Sequence, residues 1–236
     1  MDNARDIIFY SDLGKHIPRF IEVIEGLGKD NLLIDIGVDA GHSSRILLHN
    51  ATKSNNRVIG VDASDKVVDN IKHPNYSFII SDSVTAGKNY DGNKADFIFI
   101  DTTHIHEQVM AELYFLWDHL EVGGVMGFHD SDAASYPPNQ HFGGNEWAPV
   151  EPGILEFFGL KGKVLKNQTN KNISVEHHTG DYGITFITKK TDKDFKADIS
   201  RNRWEEIFSA RDSLVQAEMR EMKNHFGGMV VEFDLI

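Results

Sequence analysis

Asp101 and Asp130 each stand just beyond an apolar run, with His104, His129 and Asp132 a few residues away. Carboxylates so placed can share a divalent cation, which lowers the pKa of a bound hydroxyl and fixes its direction while a nearby imidazole takes the proton. Earlier in the chain, Leu32 to His42 carries an apolar run straight into Asp35-x-Gly37-x-x-x-Gly41 and then a helix start. Glycines let the backbone bend there and approach a nucleoside-bearing ligand without a Cβ clash, and the amides opening the next helix point into the same crevice. A second run, Arg57 to Asp62, ends in an acid at the position where an open α/β sheet places a carboxylate to accept both ribose hydroxyls.

These residues need a sheet edge to bring them together. Five apolar runs supply one: Leu32 to Ile36, Arg57 to Val61, Tyr76 to Ile80, Ala95 to Ile100 and Gly124 to Phe128, ending in Gly37, Asp62, Ser81-Asp82-Ser83, Asp101 and His129-Asp130. Helical segments alternate with them over Ser43 to Asn50, Ser64 to Lys72 (Ser64 as N-cap, Pro74 as stop), and His104 to Leu120, where Ile105, Val109, Leu113, Leu116, Trp117 and Leu120 recur at helical spacing. Strand and helix in alternation predict a doubly wound, mostly parallel α/β sheet with helices on both faces. Farther on, a short helix is expected over Ile154 to Phe158, a strand over Lys163 to Lys166, and a closing strand over Tyr182 to Thr188 that pairs antiparallel with it. Trp204, Ile207, Phe208, Val215, Met219, Met222 and Phe226 mark a long amphipathic helix ending at Gly227-Gly228. Its apolar stripe must be buried, either on its own domain or against a second subunit in a homo-oligomer, and Met229 to Ile236 can add an edge strand or swap between protomers.

Composition sets the outer bounds. A chain of 236 residues with 40% hydrophobic content can bury one core, and six scattered prolines mark no linker. A net charge of −12 leaves no broad basic surface for a nucleic-acid backbone. There is no cysteine, so no oxidising compartment is required. The opening Met1 to Asp6 has neither the basic nor the apolar region of a leader, and no run approaches a membrane span, so a soluble cytoplasmic protein is expected.

On these motifs the chain resembles the class I S-adenosylmethionine-dependent methyltransferases over roughly residues 30 to 190, with Asp35-x-Gly37-x-x-x-Gly41 as the first motif and Asp62 as the acid after the second strand. Phe99 to Glu107 followed by Leu120 to Ser131 is similar to the branch of macrocin-type sugar O-methyltransferases and cephalosporin-hydroxylase-like proteins, and Tyr10 to Pro18 is similar to the segment that precedes the sheet in related bacterial proteins. The resemblance implies a seven-stranded sheet, a donor-binding domain over 1–190 with a short N-terminal lead-in, and a C-terminal helix and strand over 191–236 as a packing or oligomerisation appendage. It implies S-adenosylmethionine held by Asp35, Gly37, Asp39, Gly41, Ser43, Asp62, Ala63, Ser81, Asp82, Ser83 and Asp101. It further implies a divalent metal on Asp101 and Asp130 and a general base at His104, whose other reading is a cap on the following helix. Relatives place a second acid where this chain has His129. A nitrogen donor there departs from the oxygen preference of magnesium and turns the expectation towards manganese or no metal, with Asp132 able to supply the missing oxygen.

The function expected is O-methylation of a small polar acceptor, such as a sugar in a surface glycan or a glycosylated metabolite. The alternatives are a hydroxylase-like relative, or a catalytically idle fold member that binds a nucleoside ligand or a protein partner. His106 and the pair His177-His178 are expected at the surface. The loop Ala133 to Pro149 is rich in Tyr, Pro, Asn, Gly and Trp, a composition suited to closing over a substrate, with Tyr136, His141 and Trp147 able to stack on a ring.

Overall fold

The structure, a computed structural model, describes residues 13–49, 51–64, 71–135, 141–142, 145–146 and 150–225. Five strands run parallel: β1 (Leu32–Ile36), β2 (Arg57–Asp62), β3 (Tyr76–Ile80), β4 (Ala95–Ile100) and β5 (Leu120–His129). A separate antiparallel pair follows, β6 (His141–Phe142) and β7 (Asn145–Glu146). Then β8 (Gln168–Thr169), β9 (Ile173–His178) and β10 (Ile184–Lys189) join the main sheet antiparallel, in the order β3-β2-β1-β4-β5-β10-β9-β8. The helices are α1 (Ile17–Leu27), α2 (His42–Leu47), α3 (Ala51–Ser54), α4 (Ser83–Asn89), α5 (His106–Leu116), α6 (Glu151–Phe157) and α7 (Arg201–His225).

Every residue of β1 is buried, and side chains alternate between two cores. Leu33, Phe97 and Phe99 face α1 and α2, where the Phe20 ring meets that of Phe99 at a tilt, with centroids 4.6 Å apart. Ile34, Ile36, Ile98 and Ile100 face the larger core with Val109, Leu113, Trp117 and Ile154. Trp204 and Ile207 of α7 belong to that same core, and Trp204 meets the Tyr114 ring edge-on at 4.7 Å, so the first half of the predicted apolar stripe packs on its own fold.

The sheet departs from expectation in three places. It has eight strands instead of seven, through the two-residue β8. The partner of the closing strand is Ile173–His178 and not Lys163 to Lys166. In the former, Ile173 and Val175 are buried in alternation with half-exposed neighbours, whereas Val164 is 48% exposed and follows Gly162 at φ 129°. Leu120 opens β5 and does not end the preceding helix. Most of the helix expected over 64–72, the side chains of Tyr136, His141 and Trp147, the distal stripe of the C-terminal helix and the strand expected at Met229 to Ile236 lie outside the described residues.

Candidate active site

The register of the sheet gathers the predicted polar residues along one edge. Ile36 pairs with Val61 and with Ile100, and Ile100 pairs with Phe128, so Gly37, Asp62, Asp101 and His129 all follow at the same level. Backbone bonds continue the alignment beyond the strands: Gly37 N donates to Val61 O, Asp101 N to Ile36 O and Ser81 N to Asp62 O, each at 2.9 Å.

The glycine turn is built by the protein's own packing. Gly37 has φ 85°, and a Cβ there would lie 1.9 Å from the carbonyl oxygen of Asp101, so this glycine is required by the close passage of the β4 end. The need for a glycine to bend the backbone, expected together with ligand approach, is met here by packing within the protein. Gly41, at φ 80°, starts α2 and would press a Cβ on Ile71. Asp39 takes φ 42°, and its amide donates to Asp62 Oδ2 at 2.9 Å while Ser64 N donates to Asp62 Oδ1 at 2.8 Å. Asp62 therefore braces the turn and the Ala63 corner against β2, with the remaining lone pairs of its half-buried carboxylate left for a ligand. Asp35 is fully buried and accepts hydrogen bonds from Ser43 Oγ at 2.9 Å and from Ser44 Oγ. Burial pushes its carboxyl up to about 7, against the pull of the two hydroxyls.

Asp101, His104 and Asp130 converge, each offering a ligand atom within 4.8 Å of the others. His104 precedes α5 without capping it: the N-cap is Ile105, which makes no side-chain cap, and His104 Nε2 lies 2.7 Å from Asp130 Oδ2. Asp130 is held at φ 55°, a left-handed conformation uncommon outside glycine, which turns its carboxylate toward this group. His129 is fully buried and sits between the acids, with Nδ1 3.0 Å from Asp130 Oδ2 and 3.5 Å from Asp101 Oδ2. Burial opposes the imidazolium, yet the two carboxylates carry its pKa well above the usual histidine value. Burial likewise pushes Asp101 up. Against its own burial, hydrogen bonds from His104 and His129 hold Asp130 below the usual carboxylate range. His129 thus lies between the two acids, outside the three-residue group that can share an ion.

Asp132 is also absent from that group. Its Oδ2 accepts from Gly180 N at 2.7 Å and its Oδ1 from Ala134 N at 3.1 Å, so it ties the β5 end to the turn before β10. Other polar residues are similarly committed. Asp82 caps α4, accepting from Val84 N and Thr85 N, and Ser81 Oγ donates to Asp82 O at 3.0 Å. Ser83 is buried and donates inward to Glu112 Oε1 at 2.6 Å. His106, expected at the surface, is half-buried with Nε2 2.8 Å from Glu156 Oε2. His177 and His178 are half-buried too, on Thr185 and Glu176.

Sequence reasoning missed Ser44, Thr102, Gln108 and Glu112. The last two are four apart on α5, a spacing that puts two polar groups on one helix face otherwise buried, and this signal was available. Asp35 Oδ1, Thr103 Oγ1, Glu112 Oε2 and His129 Nε2 are buried without a hydrogen-bond partner among the described residues. Native interiors leave few such atoms, and these belong to residues at or beside the carboxyl edge, where a bound ligand or water would satisfy them.

Known proteins share this architecture. Residues 34–131 match the family model described as a methyltransferase domain. A protein from Corynebacterium glutamicum has a TM-score of 0.55 at 13% identity, with 75% of this chain and 82% of that chain covered. MycE methyltransferase of the mycinamycin biosynthetic pathway, in complex with magnesium, S-adenosylhomocysteine and mycinamycin VI, has a TM-score of 0.50 at 18% identity over 77% of this chain. This chain spans about half of MycE, 49% of its length. The S-adenosylhomocysteine-bound methyltransferase PaMTH1 of Podospora anserina has a TM-score of 0.51 at 14% identity over 75% of this chain and 78% of its own. No curated protein matches the chain in sequence. Among the described residues, no helix is long and apolar enough to cross a membrane. Residues 34–131 thus match the model of a methyltransferase domain, and the chain shares the fold of the solved methyltransferases.

Proposed function

We propose that this chain is an S-adenosylmethionine-dependent, metal-assisted O-methyltransferase acting on a hydroxyl of a small polar acceptor such as a sugar. The observation that carries this reading is the presence, on one sheet edge, of the turn braced by Asp62 and of the group Asp101, His104 and Asp130. Neither half alone would argue for group transfer; together they offer a donor site beside an acceptor site. MycE, with the same fold, binds magnesium and S-adenosylhomocysteine, which supports both the donor and the ion.

The two carboxylates, Asp101 and Asp130, are oxygen donors that fit magnesium or manganese, with the His104 imidazole beside them left for the proton. Asp101 and Asp130 would hold the ion, which when bound lowers the pKa of the acceptor hydroxyl. The chain's own residues account for the rest. Asp62 takes the ribose hydroxyls, with the amides of the Gly37 to Gly41 turn facing the same crevice. His104 receives the acceptor proton, and the Asp130 carboxylate 2.7 Å away stabilises the imidazolium that results. The methyl group passes from the donor sulfonium to the acceptor oxygen, with the electron pair of the broken C–S bond remaining on sulfur. His129 neutralises part of the charge of the paired acids, so that the site holds two carboxylates close together without full repulsion.

The test is methyl transfer from labelled S-adenosylmethionine to a panel of glycosylated acceptors, with and without EDTA. Turnover that EDTA abolishes and magnesium or manganese restores is expected. His104→Ala should lower kcat by about 10²- to 10⁴-fold at nearly unchanged donor affinity. Full turnover after exhaustive chelation would remove the metal from the account.

A further inference from the structure

A chain of hydrogen bonds unused by this reaction runs from the C-terminal helix to the sheet edge. Arg211 of α7 is 9% exposed. Its Nε donates to Gln108 Oε1 at 2.6 Å, its Nη2 to Asp82 Oδ1 at 3.3 Å, and its Nη1 to Asp212 Oδ1 at 3.0 Å. Gln108 Nε2 in turn donates to Ser83 Oγ and to Glu112 Oε1, both at 2.7 Å. Ser83 Oγ and Thr102 Oγ1 donate to that same Glu112 oxygen at 2.6 and 2.7 Å. One arginine is thereby joined, in at most three steps, to the segment after β3 and to the residue following Asp101.

A buried guanidinium is tolerated only when its donors are matched, and its planar fork fixes the partners in direction as well as distance. Asp82 is held from two sides, by the amides of Val84 and Thr85 at 3.1 and 3.0 Å and by Arg211 from the helix above. We propose that Arg211 is a positioning residue for donor binding, setting through Asp82, Gln108 and Ser83 the strand-end segment Ser81-Asp82-Ser83 that is expected to hold the donor. This rests on the reading of the chain as an S-adenosylmethionine-dependent enzyme. It gives the C-terminal helix a part in the reaction although, among the described residues, none of that helix belongs to the group Asp101, His104 and Asp130.

Arg203 provides an internal control. It also ties α7 to the body, by a forked pair on Glu156 at 2.7 and 3.0 Å, but its partner lies on α6 and, among the described residues, no bond leads from it to Asp82. Calorimetric titration with S-adenosylhomocysteine and hydrogen exchange at the Val84 and Thr85 amides would be measured on the wild type, Arg211→Met and Arg203→Met. Arg211→Met should weaken the ligand about 2- to 30-fold, the range over which residues of a contiguous bonded network act on a site they do not touch, and speed exchange at both amides. Arg203→Met should lower the melting temperature and change neither. If Arg211→Met does not fold, Arg211→Lys keeps the charge but cannot fork to Gln108 and Asp82, and the same two changes are expected in smaller measure. Wild-type affinity in the Arg211 variants, or equal losses in both arginine variants, would overturn the inference while leaving the functional reading intact. A wild type that does not bind S-adenosylhomocysteine would overturn that reading and the inference with it.

Discussion

Gly37→Ala should destabilise the protein before any ligand is added. Two effects act on the same atom. At φ 85° an L residue is strained, by about 1–2 kcal/mol. The new Cβ would also lie 1.9 Å from Asp101 O and 2.7 Å from its carbonyl carbon, so backbone on one side must move, an overpacking of roughly 1–3 kcal/mol. The sum is about 2–5 kcal/mol, or a fall in melting temperature of about 4–20 °C at ~2–4 °C per kcal/mol for a chain of this size. Gly41→Ala is the comparison. Its φ of 80° imposes a similar strain, but its Cβ meets the Cδ1 of Ile71 at 2.7 Å, the far end of a flexible side chain, so its loss should be clearly smaller. Thermal unfolding of the ligand-free proteins by circular dichroism measures both. A Gly37→Ala protein melting within about 2 °C of the wild type would refute the claim that the β4 end dictates this glycine, and would return it to ligand approach alone.

Asp35→Asn should flatten the pH dependence of stability. With a folded pKa raised to about 7 against an ordinary 3.8, the folded form keeps a proton that the unfolded chain releases. Its contribution is full below pH 3.8 and is lost as pH rises through 7, an effect of about 4 kcal/mol at ~1.4 kcal/mol per unit. Urea midpoints should fall between pH 4 and 8 in the wild type and fall less in the variant; parallel curves would argue against the buried, proton-holding carboxyl. Asp132→Ala should cost about 1–3 kcal/mol of stability by stranding the amides of Gly180 and Ala134, and leave manganese affinity nearly unchanged. A large loss of metal affinity with stability retained would restore Asp132 as a ligand.

The strand-end residues could be read from the chain because parallel strands are continuous apolar runs, and each run's polar residue falls at a level set by local register. That reasoning put Asp62, Asp101 and His129-Asp130 at the ends of neighbouring strands, and the register brings those ends to one level. It could not say what each carboxylate does once there. Asp132 and His129 have the residue types of ligands, but the turn at Gly180 occupies one and the two acids surround the other, and both facts depend on contacts far apart in sequence. The closing hairpin was misplaced because Lys163 to Lys166 and Ile173 to His178 are both short, and only the alternation of Ile173 and Val175 marks the buried strand. Arg211 meets Asp82 across 129 residues, a pairing for which the chain offers no local signal.

Calorimetric titration of the wild type and Asp62→Ala with S-adenosylhomocysteine bears most directly on the donor site. The account predicts saturable binding to the wild type and a loss of about 1.5–3 kcal/mol, roughly 10- to 150-fold, in the variant, since the charge-assisted bonds to the ribose are removed. Absence of binding to the wild type, or equal affinity in the two proteins, would contradict it.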